Sequence, residues 1–213
     1  TKYNQYDSVI RPMKKYLEEK GVKFEMGKEV VDIDFNLSSD DKTATLIHLK
    51  NKDQIVLRKN DFVFITNGSI TESSDNGSWA RAAVLKSVED SGSWMLWKKL
   101  AKKDDSFGNP SVFCDNIDLQ KWYSFTATMK DSTFHDYMEN FSGNVDGTGG
   151  LVTMTDSNWF MSIVIARQPH FPNQPNDVKI FWGYGLYPDR KGNYIDKTMA
   201  ECNGAEILEE LYY

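Results

Sequence analysis

The stretch DFVFITNGS, residues 61–69, indicates the fold class more directly than any other part of this chain. Its continuous apolar run, Phe62 to Ile65, predicts a strand over residues 61–66 that is buried on both faces. Ligands of parallel sheets lie beyond the carboxyl ends of the strands, and a glycine allows close backbone approach. Candidate ligand contacts therefore follow the strand, with an ordinary turn as the alternative: Asn67, Gly68, Ser69 and Thr71.

The residues before this stretch predict one helix and several strands. A 3.6-residue apolar period predicts an amphipathic helix over residues 8–20, capped by Gly21, with one face packed in a core. The apolar residues of that face are Val9, Ile10, Met13, Tyr16 and Leu17. Alternating apolar residues predict strands around residues 22–26 and 31–35, then a hairpin of residues 43–49 and 54–57.

The residues after it predict an α+β arrangement. Ser93 is a candidate cap for a helix that carries Trp94 and Leu100, and Asp131 or Ser132 for a helix through Phe141. Asn203 is the candidate cap of a final helix. Strands are predicted at 124–129, 159–166 and 178–186, and a flexible glycine-rich connection at 144–150.

Composition excludes several classes of protein. The 213 residues include 25 Lys and Arg against 31 Asp and Glu, a net charge of −6, which argues against a nucleic-acid binder. No apolar run reaches the roughly 18 residues of a membrane-spanning helix. Neither the two cysteines nor the three histidines have metal-ligand spacing, so we expect no metal site. Unpaired cysteines favour a reducing, cytoplasmic compartment.

Two segments carry side chains suited to acid–base chemistry. In YNQYDS, residues 3–8, capping of the next helix by Asp7 or Ser8 is the simpler interpretation, and a tyrosine acting as general acid is the alternative. His170, in the proline-rich QPHFPNQP segment, is a candidate base. No serine or cysteine nucleophile is marked by a motif, so a hydrolytic triad is unsupported.

Long segments of the chain resemble the oleate hydratase family, also called myosin-cross-reactive antigen. They are YNQYDSVIRPM (3–13), FVFITNGSITESSDNG (62–77), SGSWMLWKKLA (91–101), TMTDSNWFMS (153–162), ARQPHFPNQPNDVKIFWGYGLYPD (166–189) and GNYIDKTMAECNGAEIL (192–208). The resemblance implies an FAD-binding enzyme that adds water to the cis-9 double bond of oleic acid, giving 10-hydroxystearic acid. Linoleate is a second expected substrate, and homodimerisation and peripheral membrane contact are further properties of relatives.

The resemblance also implies a fold and its domains. It implies a mixed α+β and α/β fold, part of the sheet of a flavoprotein with two dinucleotide-binding folds, with an attached α+β substrate domain. Residues 1–75 would form part of the FAD-binding domain, comprising the helix, the antiparallel hairpin layer and a returning strand. Residues 76–213 would form a substrate-binding region that is incomplete at its C-terminus.

Roles for individual residues follow from the same resemblance. Tyr6, with Tyr3 as the alternative, is similar to the family's proton donor, and the NGSxT stretch at 67–71 resembles its flavin-facing loop. Asn203 lies where relatives carry a threonine near the fatty-acid carboxylate. This residue differs from the family's, but its side-chain amide can also donate a hydrogen bond to a carboxylate. The dinucleotide fingerprint and the water-activating carboxylate are absent from this segment.

Two other functions remain open from the sequence. The chain could belong to a fatty-acid- or flavin-binding surface antigen without catalytic activity, or to a flavin oxidoreductase. It lacks an initiator methionine and looks like an internal fragment, so we expect it to be inactive alone, to bind FAD weakly and to self-associate through exposed apolar surface.

Overall fold

The computed structural model describes residues 1–69 and 71–213, and it is a mixed α/β chain with two antiparallel sheets. The α-helices are α1 (Arg11–Glu19), α2 (Gly92–Ala101), α3 (Ser111–Cys114), α4 (Ile117–Gln120), α5 (Thr133–Ser142) and α6 (Gly204–Tyr212). The strands are β1 (Val30–Leu37), β2 (Lys42–Leu49), β3 (Gln54–Val56), β4 (Tyr123–Met129), β5 (Leu151–Thr153), β6 (Met161–Val164) and β7 (Lys179–Gly185). A π-helical turn, Tyr6–Ile10, leads into α1, and 3₁₀ turns lie at Val88–Asp90, Asp105–Phe107 and Met199–Glu201.

The elements group into two compact units that interleave along the chain. Unit 1 comprises Thr1–Phe24, Gly77–Val84 and Trp122–Tyr213. Unit 2 comprises Glu25–Asn76 and Leu85–Lys121. The assignment of residues 1–75 and 76–213 to flavin-binding and substrate-binding domains stays a prediction.

Unit 2 is a three-stranded antiparallel sheet, in the order β1-β2-β3, packed against α2. The predicted hairpin is confirmed: β2 pairs with β3, and Lys52 takes a positive φ in the turn between them. Ile33 of β1 is buried against Leu96 and Leu100 of α2, because the alternation of the strand and the helical period both place apolar side chains toward the shared core. No strand forms at 22–26, where alternation predicted one.

The predicted buried strand at 61–66 is wrong for this chain. Residues 61–69 form no strand, and the side chains of Phe62 and Phe64 are 86% and 90% exposed. A strand needs a hydrogen-bonding neighbour, and none of the described strands pairs with these residues. Both described sheets are antiparallel, so a parallel dinucleotide-binding sheet is not among the described elements.

Unit 1 is a four-stranded antiparallel sheet in the order β4-β7-β6-β5. The strands predicted at 124–129, 159–166 and 178–186 correspond to β4, β6 and β7, the second being shorter than predicted. The fully buried side chains of its core include Trp159, Phe181 and Met199. A Cβ atom at Gly183 would lie 2.6 Å from the ring of Phe125, so this position of β7 admits only glycine without a shift of its neighbours.

The first helix forms where its period predicts, but its apolar face is not a core face. The π-helical turn Tyr6–Ile10 and α1 together cover the predicted residues, and Gly21 ends the helix at φ +89°. The prediction of burial is wrong for four of the five apolar residues, because they belong to none of the described hydrophobic core clusters: Val9, Ile10, Met13 and Tyr16 are exposed. None of the described helices is long and apolar enough to cross a membrane.

Candidate functional site

The YNQYDS segment forms a closed turn, which we call the tyrosine turn (residues 3–8). Asn4 Oδ1 accepts a hydrogen bond from the Asp7 backbone N–H at 3.0 Å, and Asn4 Nδ2 donates to Asp7 Oδ2 at 2.8 Å. The Ser8 hydroxyl accepts from the Tyr3 N–H at 2.8 Å and donates to the Tyr3 carbonyl at 3.1 Å. The predicted capping by Asp7 or Ser8 is therefore wrong, because both residues lie inside the π-helical turn and Asn4 supplies the side-chain acceptor.

The tyrosine turn is attached to the proline-rich segment 166 positions away in sequence. The carbonyl oxygen of His170 accepts two hydrogen bonds from Asn4, from its backbone N at 2.9 Å and from Nδ2 at 3.1 Å. The tertiary structure thus brings together two segments that sequence analysis had marked separately.

Two glutamines hold the proline-rich segment, which we call the proline loop (residues 168–175). Gln168, which precedes a cis peptide bond to Pro169, donates from Nε2 to the carbonyls of Ala166 and Ile180, each at 2.7 Å. Gln174 accepts from the His170 N–H and donates to the Gln168 side chain, each at 2.7 Å. These bonds satisfy the loop's backbone groups where regular structure cannot.

The two candidate acids of the tyrosine turn differ in burial. Tyr6 is 62% exposed on the π-helical turn, whereas Tyr3 is half-buried. Beside them, Asp7 forms an ion pair with Arg11 at 3.1 Å, and the Asp7 side chain is mostly buried. The Asp7 carboxylate thus bonds to Asn4 and Arg11. Among the acidic groups of the turn, the two phenols are the ones whose hydroxyls make no described hydrogen bond.

Of the two histidines of unit 1, His170 lies in the proline loop, and His135 lies at the Ile180 carbonyl to which Gln168 of that loop also bonds. Burial lowers the pKa of His170, so its imidazole is neutral at neutral pH. Burial also lowers the pKa of His135, against the opposing effects of its bond to the Ile180 carbonyl and of the Asp146 and Glu139 charges. His135 Nε2 lies 3.3 Å from that carbonyl, and the buried Nδ1 has no hydrogen-bond partner among the described residues.

We expect the stability of unit 1 to fall as the pH drops below about 6.5. The buried His135 binds a proton less readily than it does in the unfolded chain, so acid favours unfolding. Melting temperatures at about pH 7.5 and about pH 5.5 should differ less in His135→Phe than in the unmodified chain. An undiminished difference in His135→Phe would contradict this account.

The loop expected to face a flavin lies in unit 2. Ser69 and Thr71 are exposed and their hydroxyls are 2.7 Å apart, while Asn67 and Gly68 are half-buried. Ile70, between them, lies outside the described residues. Gly68 has φ +80°, and a Cβ atom there would lie 2.5 Å from the ring of Trp94. The group that lies close to the Gly68 backbone is therefore the Trp94 indole of this chain.

The same loop is held by the first turn of α2. Ser93, predicted as the cap of this helix, lies inside it, since the helix begins at Gly92 after Ser91. The Ser93 N–H donates to Glu72 Oε1 at 2.7 Å, and its hydroxyl accepts from the Gly68 N–H at 3.4 Å. Ser93 and Trp94 thus contact the loop from one side.

Gly68→Ala is expected to destabilise unit 2 by about 1–3 kcal/mol. Alanine would pay for the left-handed backbone and would also collide with Trp94. Gly27→Ala is a matched control, because Gly27 has a similar φ of +76° and open space around it. Urea unfolding of both variants gives the difference in free energy of unfolding that is due to the collision with Trp94. Equal losses of free energy in the two variants would show that Trp94 does not constrain position 68.

A cleft of about 470 Å³ opens beside this loop, with Asn67 in its wall. Three carboxylates line it, those of Glu29, Glu72 and Asp90, and its one lining cation, Lys50, is paired with Glu29 at 2.7 Å. This charge disfavours the pyrophosphate of a dinucleotide. The neutral hydrogen-bonding side chains of its wall are those of Asn67 and Ser93.

Asn203 has a well-defined structural role. Its Oδ1 accepts from the Glu206 N–H at 3.0 Å, and its own N–H donates to Glu206 Oε2 at 3.0 Å, which is a capping box at the start of α6. The predicted cap is confirmed. Its Nδ2 has no hydrogen bond among the described residues, and no described bond joins it to the tyrosine turn.

Sequence analysis missed the residues that connect segments. Asn4 and Trp94 contact parts of the chain that are distant in sequence, and Gln168 and Gln174 bond the proline loop to Ile180 and Val178. For Asn4 a signal existed, since an Asn and an Asp three residues apart before a helix can cap it reciprocally. For the others the sequence carries no local signal.

Comparisons with known proteins extend along the whole chain. The profile of the MCRA family matches residues 1–213. The oleate hydratase of Streptococcus pyogenes serotype M49 (strain NZ131) is 42% identical over 222 residues, covering 100% of this chain and 37% of the relative. The linoleate hydratase of Lactiplantibacillus plantarum is 30% identical over 226 residues, covering 99% of this chain and 40% of the relative. The chain thus spans well under half the length of these curated relatives, and it belongs to the MCRA family.

Proposed function

We propose that this chain is part of an FAD-dependent fatty acid hydratase that adds water to the cis-9 double bond of oleic acid, giving 10-hydroxystearic acid. The observation that carries the proposal is the 42% identity with an oleate hydratase along the entire chain. Linoleate is a second substrate in the proposal, supported by the likeness to a linoleate hydratase.

The tyrosine turn supplies the acid in this proposal. A phenol, Tyr6 or alternatively Tyr3, donates its proton to C9 while the oxygen of water bonds to C10. One of the water's two protons leaves to a base, the other stays in the product hydroxyl, and the phenolate is protonated again, so that atoms and charge balance. General acid catalysis of this kind contributes about 10²–10⁴-fold to a rate.

The turn's attachment supports this role. Asn4 and the proline loop hold the backbone between the two phenols, which limits the positions each hydroxyl can reach. A donor held near its target avoids the entropy cost of an encounter at every turnover.

The loop at 67–71 would hold the flavin ring through Asn67, Ser69 and Thr71, while Gly68 keeps the backbone in place against Trp94. Since hydration is redox-neutral, bound FAD would supply a flat polar surface beside the substrate without net electron transfer. Asn203 Nδ2 is the proposed donor to the fatty-acid carboxylate.

The 213-residue chain alone is proposed to be inactive and to bind FAD weakly. Its exposed side chains, Phe62 and Phe64 among them, favour self-association. A cytoplasmic location, homodimerisation and peripheral membrane contact of the longer protein complete the proposal, supported by family resemblance.

In the deciding experiment, a protein that contains this chain and has the full length of the relatives is incubated with FAD and oleate. The products are then analysed by mass spectrometry. A product heavier by one water is expected. Bound oleate without product would favour a binding protein, and bleaching of the flavin by substrate would favour an oxidoreductase. Stoichiometric FAD on the purified 213-residue chain would contradict the proposal of weak binding.

A further inference from the structure

We propose that Asn4 is a positioning residue, which holds the tyrosine turn on the carbonyl oxygen of His170 so that the phenol acts from a fixed place. This inference rests on the proposed function. It names a residue that lies between the two candidate acids and is itself neither proton donor nor substrate contact.

Every polar group of Asn4 is used. Its backbone N and its Nδ2 both donate to the His170 carbonyl, at 2.9 and 3.1 Å. Nδ2 also donates to Asp7 Oδ2, Oδ1 accepts from the Asp7 N–H, and the Asn4 carbonyl accepts from the Ser8 N–H at 3.0 Å. This set of bonds requires an amide that donates twice and accepts once, so only asparagine has the right length and chemistry.

The anchoring carbonyl is itself fixed to the sheet. The His170 N–H donates to Gln174 Oε1 at 2.7 Å, and Gln174 Nε2 donates to the Val178 carbonyl at 2.7 Å, one residue before β7. Gln168 adds a bond to the carbonyl of Ile180 within β7. The tyrosine turn is therefore connected through Asn4 and the proline loop to the central part of unit 1.

Tyr3 immediately precedes Asn4, and Tyr6 follows two residues later on a π-helical turn whose apolar neighbours are exposed. The Ser8 bonds to Tyr3 hold the turn together, and the Asn4 bonds join it to the proline loop, so the Asn4 bonds help to set where the phenols lie relative to that loop. Displacement of a reacting group by about 1 Å can lower a rate by about 10²-fold.

Asn4→Asp is the sharpest variant, because it keeps the size of the side chain. It replaces the amide donor with a carboxylate facing Asp7 and the His170 carbonyl, so the attachment becomes repulsive. Gln5→Ala is the matched control: Gln5 is the next residue, is exposed and makes no side-chain cap bond.

The experiment measures kcat and KM for oleate in the full-length protein with FAD. For Asn4→Asp we expect kcat to fall about 10–100-fold, with KM within about 2-fold and with unchanged flavin content, measured at a temperature at which the variant is fully folded. Gln5→Ala should match the unmodified protein. Unchanged kcat in Asn4→Asp would overturn the inference. The inference would also be overturned if kcat fell only in proportion to the fraction of unfolded protein and recovered on cooling.

If the proposed function is wrong, the unmodified full-length protein will hydrate no oleate. The positioning role of Asn4 in that reaction would then be wrong as well. Hydrogen exchange in the 213-residue chain tests the bond between Asn4 and His170 separately. The backbone N–H of Asn4 should exchange its hydrogen more slowly than the backbone N–H of the exposed Lys2. Equal exchange rates would overturn the attachment to His170.

Discussion

Replacing the proton donor of the tyrosine turn by phenylalanine should lower kcat for oleate hydration by about 10²–10⁴-fold. We expect this loss in Tyr6→Phe of the full-length protein, with KM and flavin content retained. Phenylalanine keeps the ring and removes only the hydroxyl, so the alkene loses its acid while the fold is unchanged. The measurement is the rate of formation of the product heavier by one water.

Two companion variants make this result decisive. Tyr16→Phe removes an exposed hydroxyl from α1 in the same unit and should leave kcat unchanged. If Tyr3→Phe loses activity and Tyr6→Phe does not, the acid is Tyr3, the half-buried residue of the pair. If both variants keep full activity, the tyrosine turn is a capping structure and holds no proton donor.

The second large effect concerns the stability of unit 1 and is centred on Glu210. This buried carboxylate of α6 accepts three backbone N–H bonds, from Asn193 at 2.5 Å, Tyr194 at 3.0 Å and Ile195 at 2.8 Å. A Cβ atom at Gly192 would lie 2.5 Å from its Oε2, so the loop closes tightly around the carboxylate.

Glu210→Gln should reduce the free energy of unfolding by about 3 kcal/mol. Glutamine keeps the volume, but its NH₂ faces backbone donors and leaves at least one of them without an acceptor. Urea unfolding measures the loss, and Glu209→Gln, on the exposed side of the same helix, should change stability by less than about 0.5 kcal/mol. A stability of Glu210→Gln equal to that of the control would show that water replaces the carboxylate.

Together these effects separate what acts in the proposed chemistry from what maintains the fold around it. Tyr6 and Asn4 should affect the turnover of the folded protein. Glu210 and Gly68 should affect stability first, because Glu210 is the buried acceptor of three backbone N–H groups and a side chain at position 68 would collide with Trp94.

The sequence by itself determined the local elements. The helical period before Gly21, the hairpin turn at Lys52, the core strand β7 and the Asn203 cap all follow from short-range preferences of neighbouring residues, and the structure confirms them. Such features depend on backbone angles and side chains within a few positions, which the sequence shows directly.

Burial and distant contacts were decided only by the tertiary structure. The runs at 9–16 and 62–65 have the pattern of buried elements, yet their side chains are largely exposed, because burial needs a partner surface that periodicity does not specify. The bonds from Asn4 to His170, and the contact that a side chain at Gly68 would make with Trp94, join residues far apart in sequence. The mixed α/β character of the chain and its family were therefore readable from its residues, whereas the dinucleotide-binding sheet stays a prediction. The attachment of the tyrosine turn depends on pairings that only the folded chain creates.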